Sequence, residues 1–175
     1  MEVLTLAIAA LGLLIACLSF GWQIASWLLD GRRIKLVLKH GALGREGAVL
    51  GEIKRDGRPH DLSKYRREGF DGADVLAVTV INIGRAPVVV ERYSVLLEGA
   101  GISFTPLDEA IGASVPHELQ PGRSETWYAK MDIVRDLISS AAAIDGHGHA
   151  ISMTVELGTG DTKKTHNKLR LKWMN

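Results

Sequence analysis

The residue types best suited to binding a metal stand in one short segment, DGHGH at 145–149. If this segment were a strand, alternation would place His147 and His149 on the same face. Imidazole and carboxylate groups are ligands of zinc and other divalent ions. The two glycines favour a turn, which explains the segment equally well. We therefore expect neither a metal site nor a cofactor, with His147 and His149 as the candidate ligands if a metal binds.

Three other features use residue types found in catalytic or ligand-binding sites, but each lacks part of the required pattern. GALGREG (41–47) lacks the Lys-Ser/Thr ending of a phosphate loop. FDGAD (70–74) lacks the spacing and the terminal glutamate of an EF-hand. The one cysteine, Cys17, lies in an apolar run, and no loop motif presents a nucleophilic serine. We expect a protein without enzymatic activity and without catalytic residues.

An apolar segment near the N-terminus predicts a membrane anchor. No Asp, Glu, Lys or Arg occurs between Val3 and Leu29. As a helix with a rise of 1.5 Å per residue this run is roughly 40 Å long, which exceeds the ~30 Å hydrocarbon core of a bilayer. We expect residues 1–30 to form a single transmembrane helix that anchors a domain of residues 31–175.

The residues at the end of this run predict the orientation of the anchor. Trp22 and Trp27 are aromatic residues of the kind found at the lipid–water boundary, and Arg32, Arg33 and Lys35 follow them. Short flanks rich in Lys and Arg are retained in the cytoplasm. The sequence therefore predicts a protein of the inner (plasma) membrane, with its N-terminus outside and its domain in the cytoplasm.

An outward-facing alternative rests on Cys17. The sequence LIAC, which ends at Cys17, is similar to the lipobox of bacterial lipoproteins, whose cysteine is lipidated. A signal peptide would need a basic segment before its apolar core, and only Glu2 stands there. The apolar run also continues beyond Cys17, where lipoproteins turn polar. Lipidation of Cys17 stays open, but no intrachain disulfide can form with one cysteine.

Small and polar residues recur through the predicted span at alternating steps of four and three. In a bilayer, small residues let two helices approach closely, and polar side chains hydrogen-bond across the contact. The spacing is also that of a left-handed coiled coil. It predicts a helix-association seam for a second copy or another membrane protein, although small residues are common in any membrane helix. The seam comprises Thr5, Ala9, Gly12, Ala16, Ser19, Gln23 and Ser26.

Beyond the span, alternation of apolar and polar residues predicts strands with one buried face. Ile34, Leu36 and Leu38 alternate with basic residues, and other segments alternate or are apolar on both faces, as central strands are. These segments are VLAVTVI (75–81), PVVVERYSVLL (87–97), ISMTVELG (151–158) and KLRLKW (168–173). About eight strands in all predict a mainly β fold.

The connections complete the predicted architecture. NIGRA (82–86) is expected to be a hairpin turn, because Asn82 and Gly84 tolerate positive φ. Residues 54–74 are expected to form an exposed loop. One short helix is expected from Asp132 to Ile144, with Asp132 as its N-cap and Gly146 just beyond its end. A Greek-key β-sandwich with one short helix fits these elements.

Two turn motifs carry a resemblance to known proteins. VTVINIGRAPVVV (78–90), followed by LQPGRSETW (119–127), resembles Ig-like β-sandwich modules of bacterial proteins, which carry V-x-V-x-N-x-G and L-x-P-G-x-S turns. The whole layout is similar to small uncharacterised single-pass membrane proteins of bacteria and phages. The resemblance implies an Ig-like sandwich that binds a partner protein or a membrane component. The alternatives are an outward-facing lipoprotein or envelope binding module, and a ligand sensor that signals through helix association.

Charge is segregated along the chain although the net charge is only +1. Residues 32–67 carry eleven basic and four acidic residues, residues 68–161 carry five and fourteen, and residues 162–175 carry five and none. The basic strands could pair with acids such as Glu91 and Glu156, or could dock the domain on anionic lipid head groups. Nucleic acid is not expected as a partner, because aromatic and basic residues do not alternate as in single-strand binders.

Overall fold

The computed structural model describes residues 2–29, 33–106 and 111–171. It contains one long helix followed by two antiparallel sheets, which confirms the predicted mainly β fold with an N-terminal helix. The helices are α1 (Glu2–Leu29), α2 (Ser63–Arg67) and α3 (Met131–Asp145). The strands are β1 (Ile34–Leu43), β2 (Ala48–Glu52), β3 (Ala73–Asn82), β4 (Val88–Leu97), β5 (Ile102–Phe104), β6 (His117–Leu119), β7 (Ser124–Lys130), β8 (Ile151–Leu157) and β9 (Thr162–Lys164).

The order of the strands is that of an Ig-like sandwich. One sheet has the order β2-β1-β3-β7, and the other has the order β5-β4-β8-β9 with β6 also paired to β4. Strands β1, β3 and β7 therefore occupy the places of strands A, B and E of an Ig domain, and β4, β8 and β9 those of C, F and G. Strands β2, β5 and β6 are additions to that arrangement.

The two sheets meet at a pair of aromatic side chains. Tyr93 on β4 and Trp127 on β7 are fully buried, with ring centroids 6.2 Å apart. The Tyr93 hydroxyl donates to the Tyr128 carbonyl at 3.2 Å, and the Trp127 indole N–H donates to the Ala113 carbonyl at 2.9 Å. Both rings thus bury their apolar faces while their polar groups keep partners.

Helix α3 covers the end of the sandwich that lies away from α1. It follows the end of β7 and precedes the start of β8, and its apolar side joins the core between the sheets. As predicted, Gly146 ends the helix in the left-handed conformation, and its N–H donates to the Ala142 carbonyl. The core side chains on α3 are Met131, Val134, Ile138 and Ala141.

The predicted N-cap of this helix is wrong. Lys130 occupies the cap position, with extended φ and ψ and no capping side-chain bond. Asp132 lies in the first turn instead, where its carboxylate accepts from Arg135 at 3.0 Å. A carboxylate in the first turn is favourable because it faces the positive end of the helix dipole.

The prediction of a hairpin at NIGRA is also wrong. This segment turns the chain, but it carries the chain from one sheet to the other, because β3 pairs with β1 and β7 while β4 pairs with β8. Alternation reveals which face of a strand is buried, and it does not specify which strand lies alongside. With a crossover at this point, both apolar strands can be central.

The side chain of Asn82 holds the crossover in place. It is fully buried, and its amide nitrogen donates to the carbonyls of Ala86 at 2.8 Å and Leu119 at 2.9 Å. Its side-chain oxygen accepts from the N–H of Gly84 at 3.0 Å. One carboxamide therefore partners backbone groups of the crossover turn and of β6.

The backbone of Asn82 joins the same crossover to the L-Q-P-G-R-S turn. Its N–H donates to the Arg123 carbonyl and its carbonyl accepts from Gly122, both at 2.9 Å. The second turn is closed by a bond from Arg123 N–H to the Gln120 carbonyl at 3.0 Å, with Gly122 at φ 74°. The two motifs that carry the Ig-like resemblance are thus one hydrogen-bonded unit.

The remaining segments differ in detail from the predictions. Residues 54–74 are largely exposed, as expected, but they include the short helix α2 and the buried Leu62. GALGREG is a hairpin loop, closed by a bond from Gly44 N–H to the Gly47 carbonyl at 2.8 Å. The KLRLKW segment forms an isolated bridge between Leu169 and Ile151 rather than a strand, and residues 172–175 lie outside the described part of the chain.

The second sheet is bounded by very short strands. Strands β5, β6 and β9 each contain three residues. All three residues of β9 are exposed, and two of them are lysines, Lys163 and Lys164. Short and charged edge strands offer little backbone for pairing with another sheet.

The role of Asn82 predicts a large loss of stability on substitution. Asn82→Ala leaves the Ala86 and Leu119 carbonyls without this donor, at a cost of about 1–3 kcal/mol for a buried group, while the Gly84 N–H keeps its bond to the Arg33 carbonyl. We expect the free energy of unfolding to fall by at least about 2 kcal/mol. Urea denaturation of the full chain in detergent, followed by tryptophan fluorescence, measures this.

Gln120→Ala is the control for this experiment. Gln120 lies in the adjoining turn, and its amide bonds only the exposed Glu118. Its loss should change the free energy of unfolding by less than about 0.5 kcal/mol. Equal denaturation midpoints for the two variants would contradict the role assigned to Asn82.

Candidate functional site

Helix α1 is long and apolar enough to cross a membrane. The candidate span is Glu2–Ser26, with a mean hydropathy of 2.6, and none of its most apolar 18-residue window is buried against the rest of the protein. Large side chains such as Leu4, Leu6 and Ile8 are more than 60% exposed. An apolar surface of this size needs a lipid or protein environment that the sandwich does not supply.

The seam residues lie along one side of α1 and are open to contact. Thr5, Ala9, Gly12, Ala16, Ser19 and Gln23 are exposed, and Ser26 is half-buried. A Cβ placed on Gly12 would meet nothing within 4 Å. A second helix could therefore come close to the backbone of α1 at Gly12.

The predicted interface residues lie where the helix gives way to the sandwich. Trp22 is 74% exposed on the last turns of α1. Arg33 and Lys35 are exposed at the start of β1. The side chain of Trp27 and the whole of Arg32 lie outside the described part of the structure.

The end of the sandwich next to α1 is built on Arg33. The Arg33 carbonyl accepts hydrogen bonds from Ile83 at 2.9 Å and from Gly84 at 3.0 Å. Since Asn82 also binds the 120–123 turn, three segments meet at this end. We call Arg33 together with residues 83–87 and 120–123 the anchor-side tip.

The tip was not identified from the sequence, although the NIGRA turn contains a residue that is unusual for a turn. Turns are normally polar, yet the NIGRA turn carries an isoleucine, and Ile83 is 59% exposed. Arg85 and Arg123 are exposed beside it in the two turns. The tip therefore combines an exposed apolar side chain with basic residues.

Two basic residues of the last segment, Lys164 and Lys168, bind an acid at the opposite end of the sandwich. Lys164 and Lys168 contact the Glu98 carboxylate, each at 3.1 Å, and Ser152 donates to it at 2.7 Å. Glu98 follows the far end of β4. The basic faces expected on the first and last strands are therefore not joined, and these two lysines pair with an acid of the middle segment.

The surroundings of Glu98 favour its charged form. Burial alone raises the pKa of this carboxyl group, but hydrogen bonds from Ser152, Lys168 and Lys164 outweigh burial and lower the pKa to about 2. The Arg92–Glu156 pair at 2.9 Å is a second contact between a base and an acid on the same sheet. Such contacts agree with the interpretation in which the basic strands pair with acidic residues of the chain.

The DGHGH segment forms a turn around Asp145. His149 contacts the Asp145 carboxylate through Nε2 at 2.7 Å and the Glu98 carbonyl through Nδ1 at 3.1 Å. The N–H of His147 donates to the same carboxylate at 2.9 Å. Among residues 2–29, 33–106 and 111–171, no group of three His, Cys, Asp or Glu side chains is placed to hold a metal ion.

A second polar cluster involves a buried histidine. His40 is 4% exposed, and its Nδ1 accepts from the His60 N–H at 3.2 Å. Burial lowers the pKa of His40, with smaller contributions from His60 and Arg135, while Asp74 opposes the lowering. The sequence pattern indicates that His40 is buried, because His40 continues the inward-facing positions of the first strand.

Asp74 ties the elements around this cluster together. Its carboxylate contacts Arg66 of α2 at 2.6 Å and Arg135 of α3 at 3.2 Å. Both arginines are about half exposed, so these contacts position the two helices without forming a closed pocket. These ion pairs connect α2 and α3 to the start of β3, which is a structural role.

The low pKa of Glu98 predicts a pH-dependent contribution to stability. The carboxyl has a pKa of about 2 in the folded chain against an ordinary pKa of 4.5, so its stabilising effect is present above pH 4.5 and is lost as the pH falls towards 2. We expect Glu98→Gln to lower stability at neutral pH by about 1–3 kcal/mol and to flatten the acid limb of the stability curve. Urea denaturation across this pH range measures both effects.

Glu46→Gln provides the control, because Glu46 is exposed in the hairpin loop between β1 and β2. Its stability curve should follow that of the unsubstituted chain. An acid limb that is unchanged in Glu98→Gln would show that Glu98 is not held in its charged form.

Comparison with known proteins assigns no family and no activity to this chain. No protein-family model matches the sequence, and no curated protein matches it. Function is therefore inferred from the molecule's own features, which are the apolar helix, the seam along it and the tip of the sandwich that adjoins it.

Proposed function

We propose that this protein is a membrane-anchored, non-enzymatic binding protein of bacterial or phage origin. Helix α1 spans the inner membrane, and the Ig-like sandwich binds a partner protein or a membrane component. The observation that carries the proposal is the complete exposure of the apolar window of α1 on a protein whose remaining apolar side chains are largely buried. Only a bilayer or partner helices would remove that surface from water.

The flank of the span supports a cytoplasmic location for the sandwich. Arg33 and Lys35 are exposed directly after α1, and Arg32 precedes them in the sequence. A Lys/Arg-rich flank close to a span is retained on the cytoplasmic side. The N-terminus would then face outward.

The lipoprotein alternative fits the helix less well. Cys17 lies within α1, which continues without a break to Leu29. Cleavage before Cys17 would divide the only apolar element long enough to span, among the residues described. An uncleaved anchor uses the whole helix.

The seam supports association through the membrane. Gln23 and the hydroxyl residues Thr5 and Ser19 lie on the same side of α1 as Gly12. In a bilayer such side chains are satisfied best by another helix, which is worth about 0.6–2 kcal/mol per contact. We propose that α1 pairs with a second copy or with another membrane protein; a ligand sensor that signals through this pairing is the second candidate.

The orientation is tested by fusing two reporters to the C-terminus, one active only outside the cytoplasm and one fluorescent only inside it. We expect fluorescence inside and no activity outside, because the basic flank is retained. A control variant with Arg32, Arg33 and Lys35 changed to glutamate should weaken this preference. Activity outside for the unsubstituted chain would favour the lipoprotein or envelope module instead.

The seam is tested by Ala9→Leu combined with Ala16→Leu in a membrane dimerisation reporter. Two added leucines keep the helix apolar but separate the backbones, so we expect the association signal to fall about three-fold or more, equivalent to about 0.6–2 kcal/mol. Ala7→Leu with Ala10→Leu, on the opposite side of α1, makes the same chemical change and should leave the signal unaltered. Equal signals from both pairs would remove the seam from the proposal.

A further inference from the structure

The anchor-side tip combines the features of a surface that rests on a membrane. It is covalently close to the span, it carries an exposed isoleucine, and it is basic. We propose that the tip docks on anionic lipid head groups, with Ile83 inserted among them and Arg33, Arg85 and Arg123 facing lipid phosphates. This inference rests on the proposed membrane anchoring and adds a second contact with the same bilayer.

The length of the link brings the tip within reach of the head groups. Three residues separate Leu29, the end of α1, from Arg33, so their Cα atoms are at most about 14 Å apart. The head-group layer on each side of the hydrocarbon core is itself about 5–7 Å thick. The tip is thereby confined to the neighbourhood of the surface, whichever way the sandwich tilts.

The hydrogen bonds of the tip hold its parts in one orientation. Ile83 and Gly84 donate to the Arg33 carbonyl, so the NIGRA turn is hydrogen-bonded to a residue that closely follows the proposed span. Asn82 bonds Leu119 and Arg123, which fixes the second turn beside the first. The surface is therefore formed before it meets lipid, and docking orders little additional chain.

Ile83 distinguishes this end from the other. The described apolar side chains that are large and exposed beyond α1 are Tyr65, Ile83, Ile133 and Ile144. Tyr65 lies on α2, which Arg66 ties to the start of β3, and Ile133 and Ile144 lie on α3, so these three belong to the far end. Of this group Ile83 alone lies at the tip, where a bilayer can cover it.

The charge of the tip suits an anionic surface. The two turns and Arg33 carry three arginines and no acidic residue. Two acids adjoin the tip: Glu118, whose carboxylate accepts from Gln120 at 2.6 Å, and Asp161 in the β8–β9 turn, whose carboxylate accepts from Thr159 at 3.3 Å. Arginine forms paired hydrogen bonds with phosphate, and basic residues near the cytoplasmic leaflet are attracted to its anionic lipids.

The test compares labels at the two ends of the full chain in vesicles. In a Cys17→Ser background, Ile83→Cys and Ile144→Cys each accept one environment-sensitive fluorophore at an exposed isoleucine position. A ten-residue strand is about 33 Å long, so a label at position 144 lies far above the bilayer when the tip is docked. Nitroxide lipids labelled near the head group report contact by quenching.

We expect quenching and a blue shift at position 83 in phosphatidylcholine vesicles that contain phosphatidylglycerol, and neither at position 144. Both effects should fall in phosphatidylcholine alone and in high salt, because salt screens exposed charges. Arg85→Ser with Arg123→Ser should shift the docking equilibrium about five-fold per arginine. Arg45→Ser with Arg55→Ser removes the same charge elsewhere and should have no effect.

Flotation with the vesicles after an alkaline wash separates this inference from the proposed function. Failure to float would overturn the membrane anchor and the docking together. Flotation without quenching at position 83 would leave the anchor in place and overturn the docking, as expected if the tip binds a protein instead. Equal quenching at position 83 with and without phosphatidylglycerol, and with and without the arginine substitutions, would also overturn the docking.

Discussion

The buried carboxamide of Asn82 is the interaction on which the sandwich depends. At this residue the chain leaves one sheet for the other, so the local backbone has no strand ladder to satisfy its hydrogen bonds. The side-chain amide donates to the carbonyls of Ala86 and Leu119, and the backbone of Asn82 binds the turn that leads into β7. Asn82 therefore fixes the crossover from β3 to β4 through its side chain and the turn before β7 through its backbone, while the ladder between β3 and β7 sets those two strands side by side. In the described part of the chain, no buried side-chain nitrogen or oxygen lacks a partner.

The two ends of the sandwich have different chemistry as a result. At the far end, α3 closes the core, and the basic side chains of Arg66, Arg135, Lys164 and Lys168 contact the carboxylates of Asp74 and Glu98. At the anchor-side tip, the crossover and the Pro–Gly turn present Ile83 and arginines. The basic residues of the chain are thus divided between the far end of the sandwich and the end that adjoins α1.

Much of the fold could be predicted from local patterns, and the candidate site could be predicted only in part. The uncharged run predicted α1, period-two alternation predicted β1 and β8, apolar runs predicted the central strands β3 and β4, and an apolar stripe followed by a glycine predicted α3. Alternation could not reveal that the NIGRA turn crosses between sheets, because it specifies a buried face and no neighbour. Nor could it place Lys168 on Glu98, since the two are 70 residues apart in the chain. The tip joins segments about 40 to 90 residues apart, and only their folding brings them together.

The short edge strands of the second sheet, of which β9 carries two lysines, gain importance if α1 anchors the protein in a bilayer. Proteins tethered to a bilayer move in two dimensions with similar orientations, which raises their effective concentration towards one another. Sheet edges aligned in this way could join from molecule to molecule into fibrils. Strands of three residues, with Lys163 and Lys164 on the outermost one, offer little to extend such an array. If α1 anchors the protein in a bilayer, neighbouring copies therefore find little edge to pair with on the second sheet.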